Sequence, residues 1–255
     1  MMRNSTLEYA CTKNKEGERL FSPQANMENI AQYYENIYKK KPINAHPHHD
    51  AIRMKMALCK TDMAYEHEQQ NIRPTRREIM RIISSKKNRK STTDIKNEMM
   101  KRAVNEMTEF LWPVILTVWH EEKIPEQWNE GLITSLYKGK GDREMLHNHR
   151  PITVSSAIGT ILEQFIDDQI KNTVQFTQAQ AGGQTGMSTC DHVFIVQSII
   201  SIALKQKRNV FLTFFDVAKA YDNACTDNML AILWDRGFRG KIWRILYALS
   251  KNLRA

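Results

Sequence analysis

The sequence lacks the features that mark secreted, zinc-binding and membrane-spanning proteins. No apolar run is long enough to span a bilayer, the first residues contain no apolar core of a signal peptide, and nothing repeats at a fixed period. The cysteines show no Cys-x-x-Cys spacing, so neither a disulfide framework nor a zinc finger is predicted, and a reducing compartment is favoured. The four cysteines are Cys11, Cys59, Cys190 and Cys225.

The charge of the chain is strongly unbalanced toward basic residues. The 255 residues include 37 Lys+Arg against 28 Asp+Glu, which gives a net charge of +9 and a pI of 9.3. At 42% hydrophobic residues, the chain can build one large domain or two small ones. The basic charge points to a polyanionic partner, although many soluble proteins are also basic.

Residues 210–217 form an apolar segment with an acid, Asp216, near its carboxyl end. Apart from Asp216, six of its seven residues are apolar, with Thr213 as the exception, which predicts a strand buried on both faces. A carboxylate at the end of such a strand needs a partner, and a metal ion would supply one. The simpler alternative is that Asp216 caps a turn after an ordinary core strand.

A second candidate element is a basic β-hairpin. Residues 132–137 and 150–154 predict two strands, and the loop between them contains two glycines that let its backbone approach a ligand closely. Its cationic groups would clamp a triphosphate or a template backbone; a solvated basic hairpin is the alternative. These groups are Lys138, Lys140, Arg143 and Arg150.

The rest of the chain predicts helices between short loops. Residues 1–24 are expected to be an irregular tail, and the histidines at 46–49 a polar loop rather than a metal site. Capping-box spacing predicts helix starts at Thr75 and Ser188, and Asp94 is expected to open a long helix that Pro113 kinks or splits. The basic run at 86–90 is either a solvated turn or a phosphate contact.

Short sequence blocks in a fixed order resemble those of a known family. In chain order they are I-P at 124–125 with Trp128, K-G-K-G-D at 138–142, N-H-R-P-I at 148–152, Q-A-G at 180–182 with G-M-S-T-C-D at 186–191, and the segment 215–222, which begins F-D and ends Y-D. Together they are similar to the front half of the reverse transcriptases of non-LTR (LINE-type) retrotransposons.

The match runs from about residue 74 to the end of the chain, and it has departures. Gly183 stands where the family usually has an aromatic residue, and Met187 where arginine is usual. Residues 91–93 replace a loop in which glycines are usual. These differences affect template contacts and loop geometry more than the metal chemistry.

The resemblance implies an α+β fold, a partial right-hand polymerase with fingers and an incomplete palm. We expect a helical N-terminal extension or linker at residues 1–73, a fingers-like region at 74–157, part of the palm at 158–225, and helices returning toward the fingers at 226–255. The second palm block, the paired-aspartate block and the thumb would follow residue 255. The 255-residue chain is therefore expected not to extend a primer by itself.

The resemblance also implies roles for individual residues in RNA-templated DNA synthesis. Asp216 would bind catalytic Mg²⁺ with help from the carbonyl of Val217. Lys138 and Arg150 would contact the phosphates of the incoming deoxynucleotide. Tyr221 would lie under its sugar and reject a 2′-hydroxyl. The implied partners are an RNA template, a DNA primer and a deoxynucleoside triphosphate, without a membrane. The compartment stays open, with the nucleus compatible with the family.

Two other functions stay open at this point. A non-catalytic nucleic-acid-binding remnant would keep the basic hairpin without the reaction. A helical interaction protein with accidental motifs would bind neither RNA nor DNA in a salt-dependent way. The reverse transcriptase and the binding remnant, by contrast, both predict an affinity for nucleic acid that falls steeply with salt.

Overall fold

The computed structural model describes residues 11–38, 51, 54–58, 73–177, 179–184, 186–217 and 220–251, without the side chains of Asp222 and Asn223. The described elements are mainly helices, with two short antiparallel sheets of two strands each. In chain order they are β1 Thr12–Lys13, β2 Arg19–Leu20, α1 Pro23–Tyr38, α2 Arg76–Ser85, α3 Asn97–Arg102, α4 Val104–Glu121, a 3₁₀ turn Glu126–Trp128, β3 Gly131–Tyr137, a 3₁₀ turn Leu146–Asn148, β4 His149–Ser155, α5 Gly159–Thr173, α6 Thr189–Lys205, α7 Ala220–Asn223, α8 Thr226–Asp235 and α9 Gly240–Lys251.

Two helix starts carry the predicted capping contacts. The Thr75 hydroxyl accepts a hydrogen bond from the Glu78 amide at 3.2 Å, and Glu78 accepts one from the Thr75 amide at 2.9 Å. Asp191 accepts a hydrogen bond from the Ser188 amide at 2.6 Å. Each contact satisfies an amide that the first helical turn leaves unpaired. The predicted starts of α2 and α6 are therefore confirmed.

The core is built where α2 packs against α4 and α5. Trp119 of α4 and Phe165 of α5 are 2% and 1% exposed, and their rings meet edge to face with centroids 5.9 Å apart. Trp128 packs into this core at 8% exposure. The same hydrophobic cluster includes Trp234 of α8 and Trp243 of α9. It thus joins regions assigned to fingers, palm and the last helices, and the proposed domain boundaries stay a prediction.

The predicted basic hairpin is confirmed. Strands β3 and β4 pair antiparallel in a continuous register that runs from Gly131 opposite Ser155 to Tyr137 opposite His149. Exposure alternates along β3, as expected for a ribbon with one face packed on the protein.

The N-terminal segment differs from the expected irregular tail. Residues 12–20 form the β1–β2 hairpin, with Thr12 opposite Leu20. Its polar composition hid this structure, because the stabilising contact is a side chain of α1: Asn26 accepts hydrogen bonds from the Thr12 amide at 2.6 Å and the Thr12 hydroxyl at 2.7 Å. Such a buried polar contact between distant residues has no periodic signal.

The long helix expected from Asp94 starts later than predicted, and Pro113 does not split it. Residues 91–96 are not helical, and the Ser91 hydroxyl instead accepts hydrogen bonds from the amides of Thr93 and Ala157. Serine and threonine side chains that bond nearby backbone compete with helix formation. The break falls at Ala103, between α3 and α4, while Pro113 lies inside the continuous helix α4.

The predicted buried strand at 210–217 is wrong. None of these residues is in a strand, and both faces are open to solvent, since the neighbouring Phe214 and Phe215 are 84% and 91% exposed. A strand needs a partner for its backbone amides and carbonyls, and the four strands of the described residues pair only within the two hairpins. Apolar composition is therefore not enough to place this segment in a sheet.

Two other expectations fall outside the described residues. The histidine-rich loop at 46–49 lies there entirely. The apolar spacing at residues 52–63 predicts an amphipathic helix, of which the structure describes only residues 54–58, as helical. Across the described parts of the chain, no helix has the length and apolar character needed to cross a membrane.

Candidate nucleotide and nucleic-acid site

The loop between β3 and β4 is closed by backbone and side-chain contacts of Lys138. The Lys138 amide donates to the Asn148 carbonyl at 2.9 Å, which extends the ladder by one step. Its ammonium group donates to the His147 carbonyl at 2.8 Å, yet the residue stays exposed. One contact to a carbonyl leaves the other ammonium hydrogens free for a phosphate.

Two glycines set the shape of this loop. Gly139 and Gly141 have φ values of +77° and +84°, in the left-handed region that side chains with a Cβ avoid. At Gly141 a Cβ would also lie 2.6 Å from the Asn148 amide nitrogen. That nitrogen donates to the Asp142 carbonyl at 2.8 Å, so the K-G-K-G-D turn needs glycine at this position for two separate reasons.

Arg150 lies on the exposed face of the ribbon. It pairs directly opposite Leu136, and directly opposed residues share a face. On this face Leu132 is 63% exposed, Leu136 55% and Ile152 45%. The ribbon thus presents an apolar strip beside the exposed guanidinium of Arg150. The pair that contains Arg150 lies next to the last pair of the ladder, and Lys138 follows that last pair.

The other face of the ribbon is held by a chain of hydrogen bonds. Tyr34 of α1 donates to the Ser135 hydroxyl at 2.8 Å, and Ser135 lies 2.9 Å from His149 Nδ1. His149 Nε2 lies 2.7 Å from the carbonyl of Arg143. Because a carbonyl only accepts, Nε2 carries the hydrogen in this arrangement and Nδ1 accepts from Ser135. Helix α1 therefore fixes the ribbon and its loop together.

The acidic residues of the loop form ion pairs with the N-terminal hairpin. Asp142 lies 2.6 Å from Lys13, and Glu144 lies 3.3 Å from Lys13 and 2.8 Å from Arg19. The hydrogen bond from Lys13 holds the pKa of Asp142 below its usual value, and that from Arg19 lowers the pKa of Glu144. Sequence reasoning missed Lys13 and Arg19, which lie more than a hundred residues away in the chain.

The residues of the basic run at 86–90 differ in their surroundings, so the two alternatives left open by the sequence, a solvated turn or a phosphate contact, do not apply to all of them. Lys86 turns inward and donates to the Thr160 hydroxyl at 2.6 Å. Burial lowers the pKa of Lys86 to about 8, against the opposing effect of the Glu163 carboxylate. Lys87, Arg89 and Lys90 are exposed. Lys86 is therefore a structural residue, and only its neighbours are free to meet a phosphate.

The predicted site residues of the palm are all exposed to solvent in the structure. Asp216 is exposed, Val217 is 66% exposed and Tyr221 97% exposed. Within the described residues, neither Asp216 nor the Tyr221 side chain makes a hydrogen bond or ion pair with β3, β4 or their loop. By contrast, the hairpin itself brings Lys138 and Arg150 to the same end of one ribbon.

Asp216 is the carboxylate through which the resemblance implies a Mg²⁺ centre in this chain. A protein Mg²⁺ site uses one or more carboxylates in near-octahedral geometry together with substrate phosphates. No group of three or more His, Cys, Asp or Glu side chains that could hold a metal ion occurs among the residues whose positions are described. Asp216 offers a single exposed carboxylate.

Comparison with known proteins gives one informative similarity. No protein-family model matches the chain. A stretch of 99 residues, 39% of this chain, is 28% identical to the "Retrovirus-related Pol polyprotein from type-1 retrotransposable element R2" of Popillia japonica. The match covers 14% of that polyprotein. This similarity supports a relationship between the chain and non-LTR retrotransposons, and thus a retrotransposon-derived protein.

Proposed function

We propose that the chain is the fingers and first palm portion of an RNA-directed DNA polymerase from a non-LTR retrotransposon. The observation that carries the proposal is the β3–β4 ribbon, whose two strands pair antiparallel as a hairpin and present Lys138 and Arg150 at one end. The order of the sequence blocks and the similarity to a retrotransposon polyprotein support the same conclusion.

In this function the ribbon receives the phosphates of an incoming deoxynucleotide or of the template strand. The exposed ammonium of Lys138 and guanidinium of Arg150 would neutralise phosphate oxygens, and the planar guanidinium can bind two of them at once. Tyr221 would contact the sugar of the nucleotide. Asp216 and the carbonyl of Val217 would be two of the ligands of Mg²⁺, with the remaining ligands from outside the described residues.

Binding of a fluorescein-labelled single-stranded RNA, followed by anisotropy across a salt series, tests the proposal. Replacing Lys138 and Arg150 together by alanine is expected to weaken binding and to flatten the slope of log K against log salt by about 1.4, because each phosphate contact on a single strand contributes about 0.7. The control replaces the exposed Lys101 and Arg102 of α3, which removes the same charge elsewhere. Equal slopes for the two double variants would contradict the proposal.

A nucleic-acid-binding remnant without catalysis is the second candidate. It is favoured by the contrast between the fully formed basic ribbon and the segment 210–217, which forms no strand in the structure. The transcript downstream of codon 255 separates the two candidates. An in-frame block of an aromatic residue, any residue and two aspartates indicates an enzyme, whereas a stop codon at that point indicates the remnant.

A further inference from the structure

The N-terminal hairpin lies directly against the acidic part of the β3–β4 loop. Besides its ion pairs, Lys13 donates its backbone amide to the Glu144 carbonyl at 2.9 Å. Its ammonium group reaches Asp142 at 2.6 Å, and Arg19 from the second strand reaches Glu144 at 2.8 Å. Backbone and side chains of the two hairpins therefore meet at one junction.

Lys13 is held at this junction by a buried polar anchor rather than by a flexible tail. The adjacent Thr12 and its partner Asn26 are each 4% exposed. Asn29 of α1 donates to the Thr12 hydroxyl at 2.9 Å and to the Lys13 carbonyl at 3.1 Å. Because α1 fixes the backbone on both sides of the lysine side chain, the position of its charge is set before any ligand arrives.

The charge balance of the loop depends on these contacts. Residues 138–150 carry the four basic side chains named above and two acidic ones, Asp142 and Glu144, which gives a formal charge of plus two. Without their basic partners, these two acids oppose phosphate binding. With Lys13 and Arg19 beside them, the local charge becomes plus four.

We infer that Lys13 and Arg19 are positioning residues that neutralise Asp142 and Glu144, so that the β3–β4 loop binds phosphate groups with its full basic charge. The inference rests on the proposed phosphate-binding role of this loop. Its ligand class is a phosphate-bearing anion, supplied either by a nucleoside triphosphate or by an RNA backbone. The N-terminal hairpin is then part of the binding site by charge, without contacting the ligand itself.

The test compares binding of two probes, a fluorescein-labelled single-stranded RNA and a fluorescent dATP, to variants of the full chain. Lys13→Ala with Arg19→Ala is expected to weaken binding of at least one probe about fivefold at low salt. In water, one unit charge about 8 Å from a phosphate changes the affinity about twofold, so the loss of two such charges accounts for an effect of about fivefold. The probe that responds identifies the source of the phosphate. The control is Lys101→Ala with Arg102→Ala, which has the same change in net charge.

A rescue experiment separates charge neutralisation from a structural role. Adding Asp142→Asn and Glu144→Gln to the Lys13/Arg19 variant keeps the acceptor oxygens and removes both acidic charges. Affinity is expected to return to within about twofold of wild type, even where the melting temperature stays lower. A variant that only disturbs folding would not be rescued by these two changes.

The outcomes distinguish the inference from the function on which it rests. If Lys138→Ala with Arg150→Ala weakens binding while the Lys13/Arg19 variant equals its control, the loop binds phosphate and the positioning role is refuted. If the Lys138/Arg150 variant itself equals its control, the proposed function fails. A loss with Lys13/Arg19 that the neutral acids do not restore also overturns the inference.

Discussion

Replacing Gly141 by alanine probes the geometry of the basic loop, because two separate costs coincide at this position. Gly141 has a φ of +84°, and placing a residue with a Cβ in that region costs about 1 kcal/mol. The new Cβ would lie 2.6 Å from the Asn148 amide nitrogen, so the Asn148 side chain must move. That movement breaks its 2.8 Å hydrogen bond to the Asp142 carbonyl, which contributes about 1 kcal/mol more.

Gly139 is the matched control in the same loop. Its φ is +77°, and a Cβ there would meet nothing within 4 Å. Alanine at Gly139 is therefore expected to destabilise the loop by about 1 kcal/mol, and alanine at Gly141 by about 2 kcal/mol. The difference corresponds to about a fivefold change in the equilibrium constant for loop opening.

Native-state hydrogen exchange measures this difference locally. The amides of Lys138 and Asn148, which donate to the carbonyls of Asn148 and Met145, are expected to exchange about fivefold faster in the Gly141 variant than in the Gly139 variant. Chemical denaturation followed by tryptophan fluorescence shows whether the loop opens separately from the core. Equal exchange rates in the two variants would refute the stabilising role given to the hydrogen bond from the Asn148 side chain to the Asp142 carbonyl.

The remaining predictions concern stability. The pKa of Lys86 is about 8 in the folded chain against an ordinary lysine value of 10.5, so the unfolded state binds more protons between these values and stability is expected to rise with pH from about 8 to 10.5. In thermal melts at stepped pH, the Lys86→Met variant should lose this increase of stability with pH. The control Lys87→Met, which alters an exposed residue, should keep it. An unchanged increase in the Lys86→Met variant would contradict the burial of Lys86. The paired nitrogens of Arg244 contact both carboxylate oxygens of Glu122 at 2.7 Å with little exposure, so Arg244→Lys is expected to cost about 1–2 kcal/mol in chemical denaturation. The same change at Arg81, whose side chain is 60% exposed, should cost less than about 0.5 kcal/mol, because exposed ion pairs contribute little to stability. Equal losses of unfolding free energy in the two lysine variants would show that the two-point contact of Arg244 adds nothing.

The similarity to a retrotransposon polyprotein and the short sequence blocks support different conclusions, the first about descent and the second about the roles of individual residues. The aligned stretch supports descent from a non-LTR retrotransposon without specifying its enzymatic part. The blocks at 138–142 and 148–152 assign the reverse transcriptase function to specific residues, and that assignment stays a proposal. The RNA-binding series with the Lys138/Arg150 variant links the two, because it asks whether the residues that carry the resemblance also carry the affinity.

Local signals in the sequence determined the elements whose stabilising contacts lie nearby in the chain. The capping contact between Thr75 and Glu78 spans three residues, and the two arms of the β3–β4 hairpin are joined by one loop whose glycines adopt the left-handed conformation. Periodicity and turn chemistry read such contacts directly. Lys138 and Arg150 could therefore be placed on one ribbon without any knowledge of the tertiary structure.

Only the tertiary structure decided the features that depend on distant partners. Residues 210–217 have the composition of a strand, yet they form none in this structure, because a strand exists only where another backbone pairs with it. Conversely, Lys13 looked like part of a polar tail and instead neutralises Asp142 across 129 residues of sequence. A charge has no periodicity, so its partner becomes visible only when the fold places the two side chains together.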